Sequence, residues 1–279
     1  MCEYMAPLKP RSPLKAGVLS LLAPGLGQLY NGQWGKALFF FIAEYPLGVW
    51  ATTRFGSFAG MIQGLSLLLL FMAVTVGDAA ISAGRQQQYV PRSFNKGWIY
   101  TSVLVLSLLG TVGLDWFLGN NFYQTFKVPS PSMVPSLVPG DRFMGAALDP
   151  LERLQRGDVV VFHPPGRERI WYVKRVVGLP GELVRVDCGH VRINGQLLNE
   201  GHARFDAGGS VVGLPSRIER LLGIDEYWLM GDNRNHSRDS RVFGPVGRKR
   251  IGYRALYLYW AGEGAGAVSA GDRLGMRLD

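Results

Sequence analysis

Three apolar runs of near-membrane length occupy the first 118 residues, and no run of comparable length follows. They are Ala37 to Thr53 (ALFFFIAEYPLGVWATT), Gly56 to Gly77 around LSLLLLFMAVTV, and Gly97 to Leu118 around WIYTSVLVLSLLGTVGL. A helix needs roughly 20 apolar residues to cross a bilayer. Each run is close to that length, and Trp50, Trp98, Tyr100, Trp116 and Phe117 sit near run ends, where interfacial aromatics belong. A shorter run, Ala16 to Tyr30, is broken by Pro24, Gly25 and Gly27 and reads as interfacial or re-entrant. The chain therefore divides into a membrane domain over 1–119, a soluble domain over 120–262, and a Gly- and Ala-rich tail over 263–279 that reads as flexible.

Charge orients the spans. Lys9, Arg11, Lys15 and Lys36 mark one cytoplasmic side, Arg85, Arg92 and Lys96 another, and Arg54 dissents. Three spans that start inside place everything after residue 119 outside the cytoplasm. Glu44, Asp78 and Asp115 lie in or near spans, where a carboxyl is either functional or held by the bundle. The formal net charge of +9 fits topology and attraction to anionic lipid. No basic stripe with groove-reading elements is present, so nucleic acid is not an expected partner. The two cysteines, Cys2 and Cys188, form neither a CxxC site nor a disulfide framework. No metal or cofactor is expected.

Between the two parts lies TFKVPSPSMVPSLVPGDRFMG, Thr125 to Gly145. Pro129, Pro131, Pro135 and Pro139 push the residues before them toward extended geometry. An extended loop would turn Ser130 and Ser132 to the same side. The stretch could equally be a proline-rich linker. After it come short strands with turn signals: Arg142 to Ala146, Asp158 to His163, Trp171 to Val177, Leu183 to Val186, Val191 to Asn194, Glu226 to Met230 and Ile251 to Trp260. That spacing predicts a mainly antiparallel β fold.

Ser132 needs a base if it is to act as a nucleophile. The histidines are His163, His190, His202 and His236, and none stands in a triad signature; His236 with Asp239 is the one conceivable pairing. Lys174, mid-strand in WYVKRVVGLPG, is the better candidate. Its ordinary pKa of about 10.4 would have to fall by roughly 3 for an appreciable neutral fraction near pH 7. Burial among apolar side chains does this. Strand alternation sends Lys174 and Arg175 to opposite faces, one toward the core and one toward solvent. An exposed edge-strand lysine is the competing reading. The segment GDNRNHSRDSR, Gly231 to Arg241, is either a polar turn or a loop whose Ser237 and Asp239 orient an amine.

Taken together, PSPSMVPSL followed by GD, then RGDVVVF, YVKRVVGLPGE and GDNRNHSRDSR, resemble in order and spacing the motifs of bacterial type I signal peptidases. These are membrane serine proteases with a Ser/Lys dyad and a β-rich catalytic domain. The resemblance covers most of residues 120–260. It implies Ser132 as nucleophile, Lys174 as general base, Ser130 with the Ser132 N–H as oxyanion hole, and Ser237 as the serine that orients the lysine. Asp239 and Arg241 would be a supporting ion pair. Val128, Met133, Leu137, Tyr172 and Val173 would wall a shallow pocket for small residues. The implied substrates are exported preproteins cut after Ala-X-Ala, and the implied place is the bacterial cytoplasmic membrane.

Two features depart from the pattern. SRVFGPV lacks the family's tryptophan, with Phe243 near its place, and PGLGQLYNGQWGK is similar to a small membrane module of other bacterial proteins. Two alternatives remain beside the peptidase: a catalytically inactive membrane scaffold, and a self-cleaving Ser/Lys repressor, which would need a DNA-binding domain where the spans lie.

Overall fold

Why the apolar first part breaks where it does is visible at Gly25. Ala23, in extended backbone, ends one helix, and Gly25, with a φ of 94°, starts the next; a Cβ there would lie 2.3 Å from the Ala37 carbonyl oxygen. The computed structural model describes residues 10–187, 189–205, 217–262 and 270–278. Cys2, Cys188 and residues 263–269 lie outside them. The chain forms two units, Met1–Asn120 and Asn121–Asp279.

The first unit is helical: α1 (Pro13–Leu22), α2 (Leu26–Tyr30), α3 (Trp34–Thr53), α4 (Phe58–Gly84) and α5 (Gly97–Asn121). The interrupted run thus becomes two short helices, α1 and α2. Among the described residues, α4 and α5 are long and apolar enough to cross a membrane. With 20 residues, α3 has the length, but Lys36, Glu44 and Pro46 make it less apolar. Small residues let α1 and α4 approach closely through Ala16, Ala79 and Ala83. The side chain of Gln28, fully buried, donates to the Thr75 carbonyl at 2.8 Å and to Asp78 at 3.1 Å. Asp78 also pairs with Lys36 at 2.7 Å. A span-end carboxyl that showed no basic partner in the sequence is therefore held by the bundle.

The second unit carries β1 (Tyr123–Lys127), β2 (Arg142–Ala147), β3 (Val159–Phe162), β4 (Tyr172–Gly178), β5 (Leu183–Asp187), β6 (His190–Ile193), β7 (Gln196–Leu197), β8 (Arg217–Leu221), β9 (Glu226–Met230), β10 (Val246–Gly247) and β11 (Ile251–Trp260). The short helices α6 (Ser240–Phe243) and α7 (Ala270–Arg273) complete it. A seven-stranded sheet runs in the order β1-β2-β11-β3-β4-β9-β10, and a four-stranded one in the order β7-β6-β5-β8. The pairings are antiparallel, as the strand spacing predicts.

The uninterrupted run DVVVF follows from burial of β3 on both sides. Val159 and Val161 enter one apolar cluster with Phe143 and Leu258, while Val160 and Phe162 enter another with Val176 and Leu229. Val177, Val184, Val191 and Trp228 join the two sheets in a third.

The tail is not a loose end. Past the residues outside the description, Arg273 is buried and grips Asp141 through two bonds, at 3.0 and 2.6 Å. Asp141 in turn accepts from the Val138 and Gly262 N–H groups. Leu278, 2% exposed, packs with Val128, Met133 and Leu137. Composition suggested disorder over 263–279, but one arginine and one leucine anchor its far end. Removing one partner of a buried ion pair costs about 3–5 kcal/mol, because the other charge stays buried. We expect Arg273→Ala to lower the thermal midpoint of the full chain in detergent by about 10 °C or more. Arg273→Lys should recover part of the loss.

Candidate active site

Proline chemistry shapes the loop that carries Ser132. Ser130 is extended (φ −131°, ψ 156°), as a residue before proline should be, and Val134 is extended too. Between them Pro131–Met133 closes into a 3-10 turn, with Pro131 at its first position, where a missing N–H costs nothing. Ser132 is thus on a tight turn rather than on the extended loop expected. The two hydroxyls still converge: Ser130 Oγ donates to Ser132 Oγ at 3.2 Å.

Across from the turn, β4 delivers Lys174. Its ammonium nitrogen lies 2.7 Å from Ser132 Oγ and 2.8 Å from the Val173 carbonyl oxygen. Lys174 is 3% exposed and Ser132 6%. Burial lowers the Lys174 pKa from 10.5 to about 8; Asp239 and Asp232 pull it back upward, and Arg241 pushes it down. Desolvation disfavours the charged amine more than the two carboxylates restore it.

Arg175 does not face solvent as alternation suggested. It is 5% exposed and makes a two-pronged pair with Asp232, both bonds at 2.9 Å. It also donates to the Gly157 carbonyl and to Ser136 Oγ, tying β4 to the serine loop. A buried guanidinium is tolerated here because its fork meets a carboxylate and neutral acceptors together.

The Gly231–Arg241 segment is the other side of the clamp. Asn233 N–H donates to the Ser132 carbonyl at 3.2 Å, and the Asn233 side-chain amide donates to the Pro131 carbonyl. A Cβ at Gly231 would come within 2.2 Å of Ser237 Oγ and 2.5 Å of the Ser132 carbonyl oxygen, so glycine permits this approach. Asp239 is committed to Arg241 at 2.8 Å and to the Gly231 N–H at 3.0 Å. Asp239 thereby holds the loop together. Ser237 Oγ is buried beside the site, but it makes no hydrogen bond among the described residues, to the lysine or otherwise.

A groove of about 390 Å³ opens over Ser132 and Lys174. Of the five expected wall residues, Tyr172 and Val173 line it. Val128, Met133 and Leu137 instead lie beneath the serine loop in the apolar core. The 3-10 turn and the Arg273–Asp141 anchor draw them inward. Phe126, Phe143, Ile170 and Trp171 take their place. The Phe126 ring stacks on Phe143 at 5.5 Å and meets Trp171 edge-on at 6.2 Å. Their convergence depends on the register that sets Phe126 opposite Phe143. Strand pattern alone does not fix that register.

Residues 98–260 match the family model described as signal peptidase, peptidase S26. The chain is 34% identical over 168 residues to a signal peptidase I of Leptolyngbya laminosa, covering 56% of this chain and 75% of that one. It is 31% identical to a probable signal peptidase I-2 of Synechocystis sp., covering 56% and 70%. It is 30% identical to signal peptidase I U of Bacillus subtilis, covering 58% and 89%. A solved signal peptidase I of Enterococcus faecalis aligns at 27% identity and a TM-score of 0.30, over 36% of this chain and 94% of that one. A family model that spans both motif strands and the clamp, together with relatives matched over most of their own length, settles the question of kinship: the chain belongs to the signal peptidase family, peptidase S26.

Proposed function

We propose that this serine endopeptidase removes signal peptides from exported preproteins, with Ser132 as nucleophile and Lys174 as general base. The observation that carries the reading is the 2.7 Å contact between a buried amine and a buried hydroxyl. With a pKa of about 8, roughly a fifth of the lysine is neutral at pH 7.4, against one in a thousand for an ordinary lysine.

The neutral amine takes the Ser132 proton as Oγ attacks the scissile carbonyl. The oxygen that gains charge is met by the Ser132 N–H and the Ser130 hydroxyl, which swings from its bond to Ser132 Oγ. Collapse expels the mature protein's amino group, which takes the proton from the Lys174 ammonium. The signal peptide remains as an ester on Ser132. Water then gives a proton to the same amine and attacks the ester carbon; the bond from that carbon to Ser132 Oγ breaks, Oγ takes the proton back from Lys174, and the signal peptide leaves with a new C-terminal carboxylate. The Val173 carbonyl and Ser132 Oγ hold the amine in place, while Ser237 stands in the adjacent wall. Asp239 and Arg241 brace that wall.

Tyr172 and Val173 line the groove beside Ser132 and Lys174, and the specificity in this reading is for a small residue, alanine, next to the scissile bond. If α3, α4 and α5 all cross the bilayer, the basic segments stay inside and the peptidase unit faces the extracytoplasmic side. The Lys36–Asp78 pair offsets charge at one end of this bundle.

The test is incubation of the purified full chain in detergent with a preprotein carrying Ala-X-Ala, followed by sequencing of the new N-terminus. We expect one cut, immediately after the second alanine. No cut, or a cut elsewhere, would remove the reading.

A further inference from the structure

The groove is unequal in charge. Lys127, Lys174, His236 and Arg238 line it, and no aspartate or glutamate does. Lys174 is spoken for by Ser132. Lys127 and Arg238 are exposed, and neither has a carboxylate partner among the described residues. Arg142, opposite Lys127 in the β1–β2 register, is exposed as well and adds charge of the same sign.

Two of the basic lining residues, His236 and Arg238, lie on a different segment from the aromatic wall, whereas Lys127 follows Phe126 on β1. Phe126, Phe143 and Trp171 form one aromatic wall from β1, β2 and the start of β4. His236 and Arg238 belong to the clamp, which bonds to the Ser132 carbonyl through Asn233. They flank Ser237, itself packed against the Ser132 backbone across Gly231. In the Ala-X-Ala reading, small apolar residues stand just before the cut. That part fits the aromatic wall and leaves the clamp side of Ser132 to the residues after the cut.

From this we infer that Arg238 determines specificity, favouring preproteins whose mature sequence begins with an acidic residue and disfavouring those that begin with a basic one. The inference rests on the peptidase reading above. Exposed charge pairs are weak, so the preference is graded rather than absolute: about three- to fivefold in kcat/KM for Glu over Gln at the first mature position. Lys should be disfavoured by a similar factor. Screening should shrink both at high salt.

The experiment compares three preproteins that differ only in that residue (Glu, Gln or Lys), cut by the full chain in detergent at low and high salt. The expected order is Glu, Gln, Lys, compressed at high salt. Arg238→Glu should invert the order, and Arg238→Gln should flatten it. Equal rates for all three with the wild-type chain, or an order untouched by Arg238→Glu, would overturn the inference while leaving the peptidase standing. Failure to cut any of the three would overturn the peptidase reading, and this inference with it.

Discussion

Ser132→Ala and Lys174→Ala are each expected to lower preprotein cleavage by about four orders of magnitude or more, with the double variant no worse than either single one. Residues that act as one unit are non-additive in this way, because either loss removes the same covalent step. Ser132 is 6% exposed and its alanine replacement removes one oxygen, so the fold should be unaffected. Lys174→Ala opens a gap and also removes a buried charge; Lys174→Met fills the gap and separates the two effects. If either Ser132→Ala or Lys174→Met cleaved preprotein at near wild-type rates, the dyad would be refuted. An inactive scaffold would show no activity to lose.

Cleavage should fall as pH drops below 8, about fiftyfold between pH 8 and pH 6, because about half of the amine is neutral at its midpoint and only about 1% two units below it. The sign follows from the working form being the neutral amine, whose pKa burial lowers to about 8. Activity rises with pH and levels off above that value. Stability should move in the same direction. Between about pH 8 and the unfolded lysine's pKa of about 10.4, the unfolded chain holds a proton that the folded chain has shed. Folding therefore gains stability as pH rises through that window. Below it the full penalty of a buried ammonium remains, about 3 kcal/mol. Lys174→Met should therefore be inactive and yet more stable at neutral pH. A rate flat from pH 6 to 8 would show that this amine does not set the reaction's pH dependence.

Much of this was legible in the residues because local rules and burial agree. DVVVF is apolar throughout because β3 is covered on both sides. The prolines around Ser132 hold Ser130 and Val134 extended as proline requires. The motif order sets Ser130, Ser132 and Lys174 in one frame, and the three side chains meet. What stayed hidden depends on partners distant in sequence. Nothing in the GLPG turn or in VKRVV says that Arg175 will be buried, since that requires Asp232, 57 residues later. Val128, Met133 and Leu137 neighbour Ser132 in sequence, which alone suggests a place on the groove wall. The 3-10 turn and the anchoring of Leu278 and Arg273 put them under it instead. The tail looked disordered because glycine and alanine dominate its composition, while two residues do the anchoring. Phe126, Phe143 and Trp171 could be seen as apolar, but only strand register makes them one wall.

Direct titration of the Lys174 side chain tests the account most closely. Selective carbon labelling of lysine, with Lys174→Met to assign the signal, would follow the carbon next to the amine by NMR across pH in the intact chain. The account requires a midpoint at about 8, rising toward ordinary lysine values when the chain is unfolded. A folded-state midpoint near 10.4 would contradict it, because the amine beside Ser132 would then be almost wholly charged at neutral pH and unable to take a proton.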